Sequence, residues 1–262
     1  MPSFRKPFAL ACALAVSWSL LAGCSNSGDA GKKYAVATDT TFAPFEYTDS
    51  KGNFVGADLD ILAAVAKDQG FQYELRPLGF DAAVAALESN QADGVIAGMS
   101  ITDKRKEKYN FSEPYYNSHI VVAVAAGNDA VKSYADLSDK TVAAKTGTEG
   151  AKFAESLAPK YHFKINYFAD SPTMYEDVKT GNSVACFEDS PVMAYGISQN
   201  NGLKIVNDPS EKSPGSSYGF AVMKNSAANQ KLLTLFQTGL ANLKKNGQLK
   251  AIMDKYNLNY DF

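Results

Sequence analysis

From Tyr34 onward, short apolar runs with strand character alternate with segments whose apolar residues recur at helical spacing. This alternation restricts the chain more than any other feature, because strand, helix and strand in succession close compactly only as a sheet covered by helices. A first strand is expected over Tyr34 to Thr38, then a loop, Asp39 to Gly56, rich in Thr, Pro and Gly. Asp58 reads as the N-cap of a helix in which Leu59, Leu62, Ala63 and Ala66 share a face, with Gly70 closing it. Phe71, Tyr73 and Leu75 alternate with polar residues and predict a second strand. An alanine-rich helix over Asp81 to Ser89 and a strand over Gly94 to Ala97 follow.

A second unit begins after Tyr115 to His119, with strands expected at Ile120 to Ala125, Lys140 to Ala144 and Phe163 to Tyr167, and a helix ending at Leu157. Ser171-Pro172 opens a helix with Ser171 as N-cap and a proline in its first turn, Gly181 ends it, and Val184 to Phe187 is a strand leading straight into two acids, Glu188 and Asp189. A strand over Tyr218 to Met223, a helix with Leu232, Leu233, Phe236, Leu240 and Leu243 near one face, and a short helix over Leu249 to Tyr256 end the chain. Two similar α/β units with a terminal helical segment predict two lobes joined by chain crossings. Each unit is expected to be a largely parallel sheet with helices on both faces, which places ligands beyond the carboxyl ends of its strands.

The first 23 residues are expected to be a leader rather than part of the fold: Arg5 and Lys6 precede an apolar stretch, Phe8 to Leu21, that ends in small residues. The sequence Leu21-Ala22-Gly23-Cys24 resembles the bacterial lipobox, which implies that Cys24 becomes the lipidated first residue of the mature protein. Residues 24–33 read as a small polar tether between a membrane surface and a folded domain. No later stretch approaches the roughly 18 consecutive apolar residues of a membrane span.

The leader holds two of the 26 basic residues and none of the 28 acidic ones, leaving 24 against 28 and a formal charge of −4. So mild a balance gives no reason to expect nucleic acid as a partner. With Cys12 in the leader and Cys24 lipidated, Cys186 is the one cysteine left inside the domain and reads as a small buried apolar residue. His and Cys are too few for a zinc cluster, and no cofactor is expected. The Lys145 to Gly150 loop, KTGTEG, lacks Walker spacing, so it is not read as a phosphate cradle.

Four segments following strands share small, polar and charged content: Asp39 to Phe45, Gly98 to Arg105, Lys145 to Gly150, and the pair Glu188-Asp189. Gathered at one strand-end face, they would enclose a zwitterion. A free amino acid needs a bidentate cation for its carboxylate, which Arg105 can supply, and an anion for its ammonium, which Asp189 can supply. The alternatives are that Arg105, within DKRKEK, lies on a solvated helix face, and that Asp189 caps the helix beginning at Ser190 or Pro191. Phe42 and Phe80 either sandwich a ligand stem or pack in the core.

The segments VATDTTFAPFEY, GADLDILAAVAKDQGF, GMSITDKRKEKYNFSEPYY and VAAKTGTEG resemble the polar amino-acid-binding proteins of bacterial ABC importers over nearly the whole mature chain. Ser171 to Gly196 is most similar to glutamine-binding members. The resemblance implies a periplasmic-binding-protein type II fold, α/β, with mixed sheets flanked by helices and two hinge crossings. Lobe 1 would comprise residues 34–114 and 219–262, lobe 2 residues 120–213, and the hinge 115–119 and 214–218. It further implies a monomeric binding protein, not an enzyme, that closes over its ligand and hands it to a membrane permease. Carried over residue by residue, Arg105 would hold the α-carboxylate with Ser100 and the backbone at Thr148. Asp189, Gly98 and Ser100 would receive the α-ammonium, Phe42 and Phe80 would clamp the stem, and Asp39, Lys145 and Glu188 would read the side-chain end. Some glutamine binders have histidine where Glu188 stands and glycine where Glu149 stands. Asp39 and Lys145 together suit the two ends of an amide, and Lys145 is also open to pairing with Glu188. Glutamine therefore leads, with asparagine, arginine or lysine as rivals, and with an exported dehydratase-like enzyme using Glu188 or His119 as the alternative class.

Overall fold

A computed structural model of the protein describes residues 33–260. The expected leader, Cys24 and all of the expected tether except Lys33 lie outside the described residues.

The chain runs through β1 (Lys33–Thr38), β2 (Thr41–Phe42), β3 (Glu46–Thr48), β4 (Phe54–Val55), α1 (Ala57–Gln69), β5 (Gln72–Pro77), α2 (Phe80–Glu88), β6 (Gly94–Val95), α3 (Asp103–Lys106) and β7 (Tyr109–Phe111). It continues through β8 (Tyr116–Ala125), a 3-10 turn at Tyr134–Leu137, β9 (Thr141–Lys145), α4 (Glu149–Tyr161), β10 (Lys164–Phe168), α5 (Ser171–Lys179), β11 (Cys186–Asp189), α6 (Ser190–Ser198) and β12 (Leu203–Val206). It ends with β13 (Gly215–Tyr218), β14 (Ala221–Met223), α7 (Ala227–Lys245) and α8 (Gln248–Lys255).

These strands form two main sheets, ordered β5-β1-β6-β14-β7 and β10-β9-β11-β8-β12, with β13 pairing onto β8. Both sheets are mixed, as the family resemblance implies, and not largely parallel as the alternation of strand and helix suggests. β1 runs parallel to β5 and β6, but β14 is antiparallel to β6 and β7, because it re-enters the first sheet from the second. β8 is a single strand with two roles: Tyr116 to His119 pairs with β13, and Ile120 to Ala125 with β11 and β12. The two antiparallel strands β8 and β13 thus carry the chain from the first sheet to the second and back.

Each sheet has its own core. In the first, α7 lays Leu232, Phe236 and Leu240 on Val36, Ile61, Leu62 and Val65. In the second, Phe153 and Leu157 of α4 meet Val122, Val142 and Phe187. Fully burying such a side chain stabilises by roughly 1.5–3 kcal/mol, so each lobe owes its form to its own apolar face.

Three local expectations change. The segment Asp39 to Gly56 holds a small three-stranded sheet, β2-β3-β4, rather than only loop. The N-cap of α1 is Gly56, not Asp58: a side chain at Gly56, which has φ of 150°, would place its Cβ 1.9 Å from the Phe45 carbonyl oxygen. Asp58 is left in the first turn with its carboxylate turned inward. Asp170, not Ser171, caps α5, its side chain accepting from Thr173 N. Among the described residues no helix is long and apolar enough to cross a membrane.

Candidate functional site

One cavity lies where the carboxyl ends of the strands of both sheets meet. Asp39 comes from the turn after β1, Phe42 from β2, Phe80 from the start of α2, Gly98 and Ser100 from the segment after β6, and Arg105 from α3. The second sheet contributes Lys145, Thr148 and Glu149 from the end of β9 and the start of α4, and Asp189 from the end of β11. Nine of the ten residues expected to bind ligand line this space.

Arg105 is not on a solvated face. The hydroxyl of Thr102 caps α3 by accepting from Arg105 N, and the short helix turns the guanidinium inward, leaving the residue 7% exposed. Its Nη1 donates to Ser100 O at 3.0 Å, its Nη2 donates across to Gly147 O at 3.1 Å, and the group stands 5.3 Å from the centre of the Phe80 ring. Glu149 faces it with Oε1 at 3.6 Å from Nη1, while also accepting from Lys152 Nζ at 2.7 Å.

The carboxylate of Asp189 accepts from Ser118 Oγ at 3.0 Å and from Tyr218 OH at 2.6 Å, so both crossing strands hold it. Asp189 occupies the N-cap position of α6, yet its side chain makes no capping hydrogen bond and is free to serve the cavity. Burial above all, and then the neighbouring Glu188 charge, pushes the Asp189 carboxyl up to about 7. An ammonium placed beside it would restore the ionised form.

Lys145 pairs with Asp39, not with Glu188. The Lys145 ammonium donates to Asp39 Oδ2 with both side chains 1% exposed, while Asp39 Oδ1 accepts from Thr40 N at 2.6 Å. Lys145 Nζ also lies 5.7 Å from the centre of the Phe42 ring. Gly98 completes this wall: its φ is 51°, and a Cβ there would fall 2.2 Å from Phe42 Cε1, so only glycine fits.

Glu188 is the exception among the expected binding residues, since it does not line the cavity. Alternation along β11 sends its side chain to the opposite face from Phe187, where it accepts from Ser171 Oγ at 3.0 Å, Tyr175 OH at 2.8 Å and Asp189 N at 2.9 Å. His119 is also elsewhere, with Nδ1 3.1 Å from Ser190 Oγ in a separate groove lined by Tyr116 and Tyr256. Cys186 is buried and its thiol raised, by burial first, away from thiolate. Glu149 lines the cavity too, although the sequence reading leaves it out of the site despite its place in the KTGTEG loop.

A guanidinium from one sheet and a carboxylate from the other, converging on a single enclosed cavity, define a two-lobed solute-binding protein. The chain belongs to the bacterial extracellular solute-binding proteins, family 3, whose profile matches residues 34–259. It is similar to a probable histidine-binding protein of Neisseria gonorrhoeae, 33% identical over 258 residues that cover 94% of each chain. Among solved structures it resembles an ancestral arginine-binding protein bound to glutamine, at 35% identity and TM-score 0.76, over 86% of this chain and 97% of that one. It also resembles the second substrate-binding domain of Lactococcus lactis GlnP in its open conformation, at 38% identity and TM-score 0.59, over 90% of this chain and 99% of that one.

Proposed function

We propose that this protein captures a free polar amino acid, glutamine above the others, by closing its two lobes, and delivers it to the permease of an ABC importer. The observation that carries this reading is the convergence of Arg105 and Asp189 from different lobes on one cavity. A guanidinium and a carboxylate so placed match the two charges that every free α-amino acid carries. Ser100 and the backbone beside Gly98 and Thr148 add polar groups to the two ends, and Phe42 and Phe80 provide flat walls for the stem.

At the far end Asp39 and Lys145 already neutralise each other, so a side chain that brings no net charge suits them. An amide can accept from Lys145 and donate to Asp39, which favours glutamine and fits its shorter homologue asparagine less well. Arginine is the second reading, supported by Glu149. With Arg105, Lys145, Asp39, Asp189 and Glu149 all ionised, the lining carries one surplus negative charge, which a cationic ligand would balance. The enzyme alternative loses both of its named proton carriers from the cavity, since Glu188 and His119 point elsewhere.

Residues 115–119 and 214–218 act as the hinge in this reading, and Cys24 anchors the monomer to the outer face of the cell membrane through lipid. Thermal-shift screening with the twenty amino acids, followed by mass analysis of the recovered ligand, tests the function. Stabilisation by glutamine recovered unchanged supports it, and conversion of the ligand would exclude it.

A further inference from the structure

Behind the Gly98 wall lie two carboxyl groups that the proposed function does not use. Glu46 in β3 and Asp58 in the first turn of α1 are both fully buried. Asp58 Oδ2 is well supplied: it accepts from Gly98 N at 2.8 Å and from Tyr115 OH at 2.8 Å. Asp58 Oδ1 and both oxygens of Glu46 find no such donor among the described groups. The backbone sets the two side chains close together, because Asp58 N donates at 3.0 Å to the carbonyl of Phe45, the residue before Glu46.

Two ionised carboxylates are acceptors only and cannot satisfy one another, and their like charges repel strongly away from water. One proton between them removes both problems. The remaining charged or titratable groups facing Glu46 are Asp39, Lys145 and Tyr115. Asp39 and Lys145 cancel as an ion pair, and the Tyr115 hydroxyl is already committed to Asp58. Asp58, with two donors already in place, is the better site for the negative charge, which assigns the proton to Glu46.

We propose that Glu46 is a neutral carboxylic acid donating to Asp58 Oδ1 and is thereby a positioning residue for ligand binding, fixing the Asp58 carboxylate that holds the Gly98 amide and the Tyr115 hydroxyl. Gly98 is in the cavity wall, and Tyr115 immediately precedes the strand that crosses between the sheets, so a single proton ties the pocket wall to the start of the crossing. The electrostatics agree in direction: burial first, then the Asp58 charge, raises Glu46 well above the usual carboxylate range, while burial raises Asp58 to about 6.

The proton itself is testable without any ligand, whereas its effect on the pocket rests on the amino-acid-binding reading. Infrared difference spectra of the full domain at neutral pH should show the carbonyl stretch of a buried protonated carboxyl that Glu46→Gln removes. Asp189, itself raised to about 7, contributes a band of its own, so the decisive quantity is the difference between parent and variant, and no carbonyl component lost in Glu46→Gln overturns the proposal whatever the protein binds. Calorimetry with glutamine supplies the second arm. Glu46→Gln, whose amide still donates to Asp58, should bind within about threefold of the parent, whereas Glu46→Ala should lose about tenfold or more. As pH rises into the range where Glu46 ionises, the parent should lose affinity more steeply than Glu46→Gln, the ligand's own titration being common to both. Equal affinities for the two variants, or superimposable pH profiles for parent and Glu46→Gln, contradict the positioning role. If Glu46→Ala does not fold, the infrared band and the Glu46→Gln profile decide alone. If the parent binds no amino acid, the function falls while the infrared arm still decides the proton.

Discussion

Lys145 at the end of β9 and Asp39 at the end of β1 form an ion pair across the two sheets, with both side chains 1% exposed. Charges so thoroughly removed from water are tolerable only as a pair, and taking one partner away leaves the other stranded. Lys145→Met should therefore destabilise the folded protein by about 3–5 kcal/mol. The double variant Lys145→Met with Asp39→Asn should recover much of that loss. Denaturant unfolding of the single and double variants checks this, and the same variants should reorder the ligand preference among glutamine, glutamate and arginine.

Glu149 stands 3.6 Å from Arg105 Nη1 and competes with a ligand carboxylate for the same guanidinium. Glu149→Gln removes that competitor and the surplus negative charge of the cavity. Glutamine affinity should rise by about tenfold, the equivalent of about 1.4 kcal/mol, and arginine should gain less or lose. Calorimetry with both ligands measures the difference, which should favour glutamine in the variant.

Asp189 gives binding a pH dependence of known sign. Its carboxyl is held up at about 7 in the folded protein, by burial before all else, and must be ionised to receive an ammonium. Ligand binding should therefore release a proton near neutral pH, and affinity should weaken by up to about tenfold per pH unit as pH falls below that value. Because the folded value lies above the unfolded one, the ligand-free protein should itself lose stability as pH rises from about 4 toward 7 through this group. Asp189→Asn should bind more weakly and lack this group's share of both slopes, as calorimetry in buffers of different ionisation heat and denaturant unfolding across pH would report.

Much of this architecture is legible one segment at a time. The helix closed by Gly70, the strands on either side of it and the amphipathic Leu232 to Leu243 stripe each follow from local periodicity. The errors lie where a distant partner decides. Asp58 has the composition of a cap, yet the Gly98 amide and the Tyr115 hydroxyl, 40 and 57 residues away, claim its carboxylate. Lys145 has two acids within plausible reach, and its choice of Asp39 over Glu188 depends on a contact spanning 106 residues. Arg105 sits in a charge-rich run that would suit a solvated helix, and only the short α3, capped by Thr102, buries it. Glu188 and Asp189 are neighbours in sequence, but the pleat of β11 sends one into the cavity and the other to Ser171 and Tyr175.

The central claim is that Arg105 and Asp189 grip opposite ends of one free amino acid, and calorimetry with pruned ligands tests it most directly. Glutamine, its analogue lacking the α-carboxylate and its analogue lacking the α-ammonium would be compared on the parent, Arg105→Ala and Asp189→Asn. On the parent, removing either charge should cost about 2–5 kcal/mol. Arg105→Ala should become indifferent to the carboxylate alone, and Asp189→Asn to the ammonium alone. If Arg105→Ala binds glutamine as tightly as the parent, or if each variant still discriminates both pruned ligands as the parent does, the two residues do not hold the ligand.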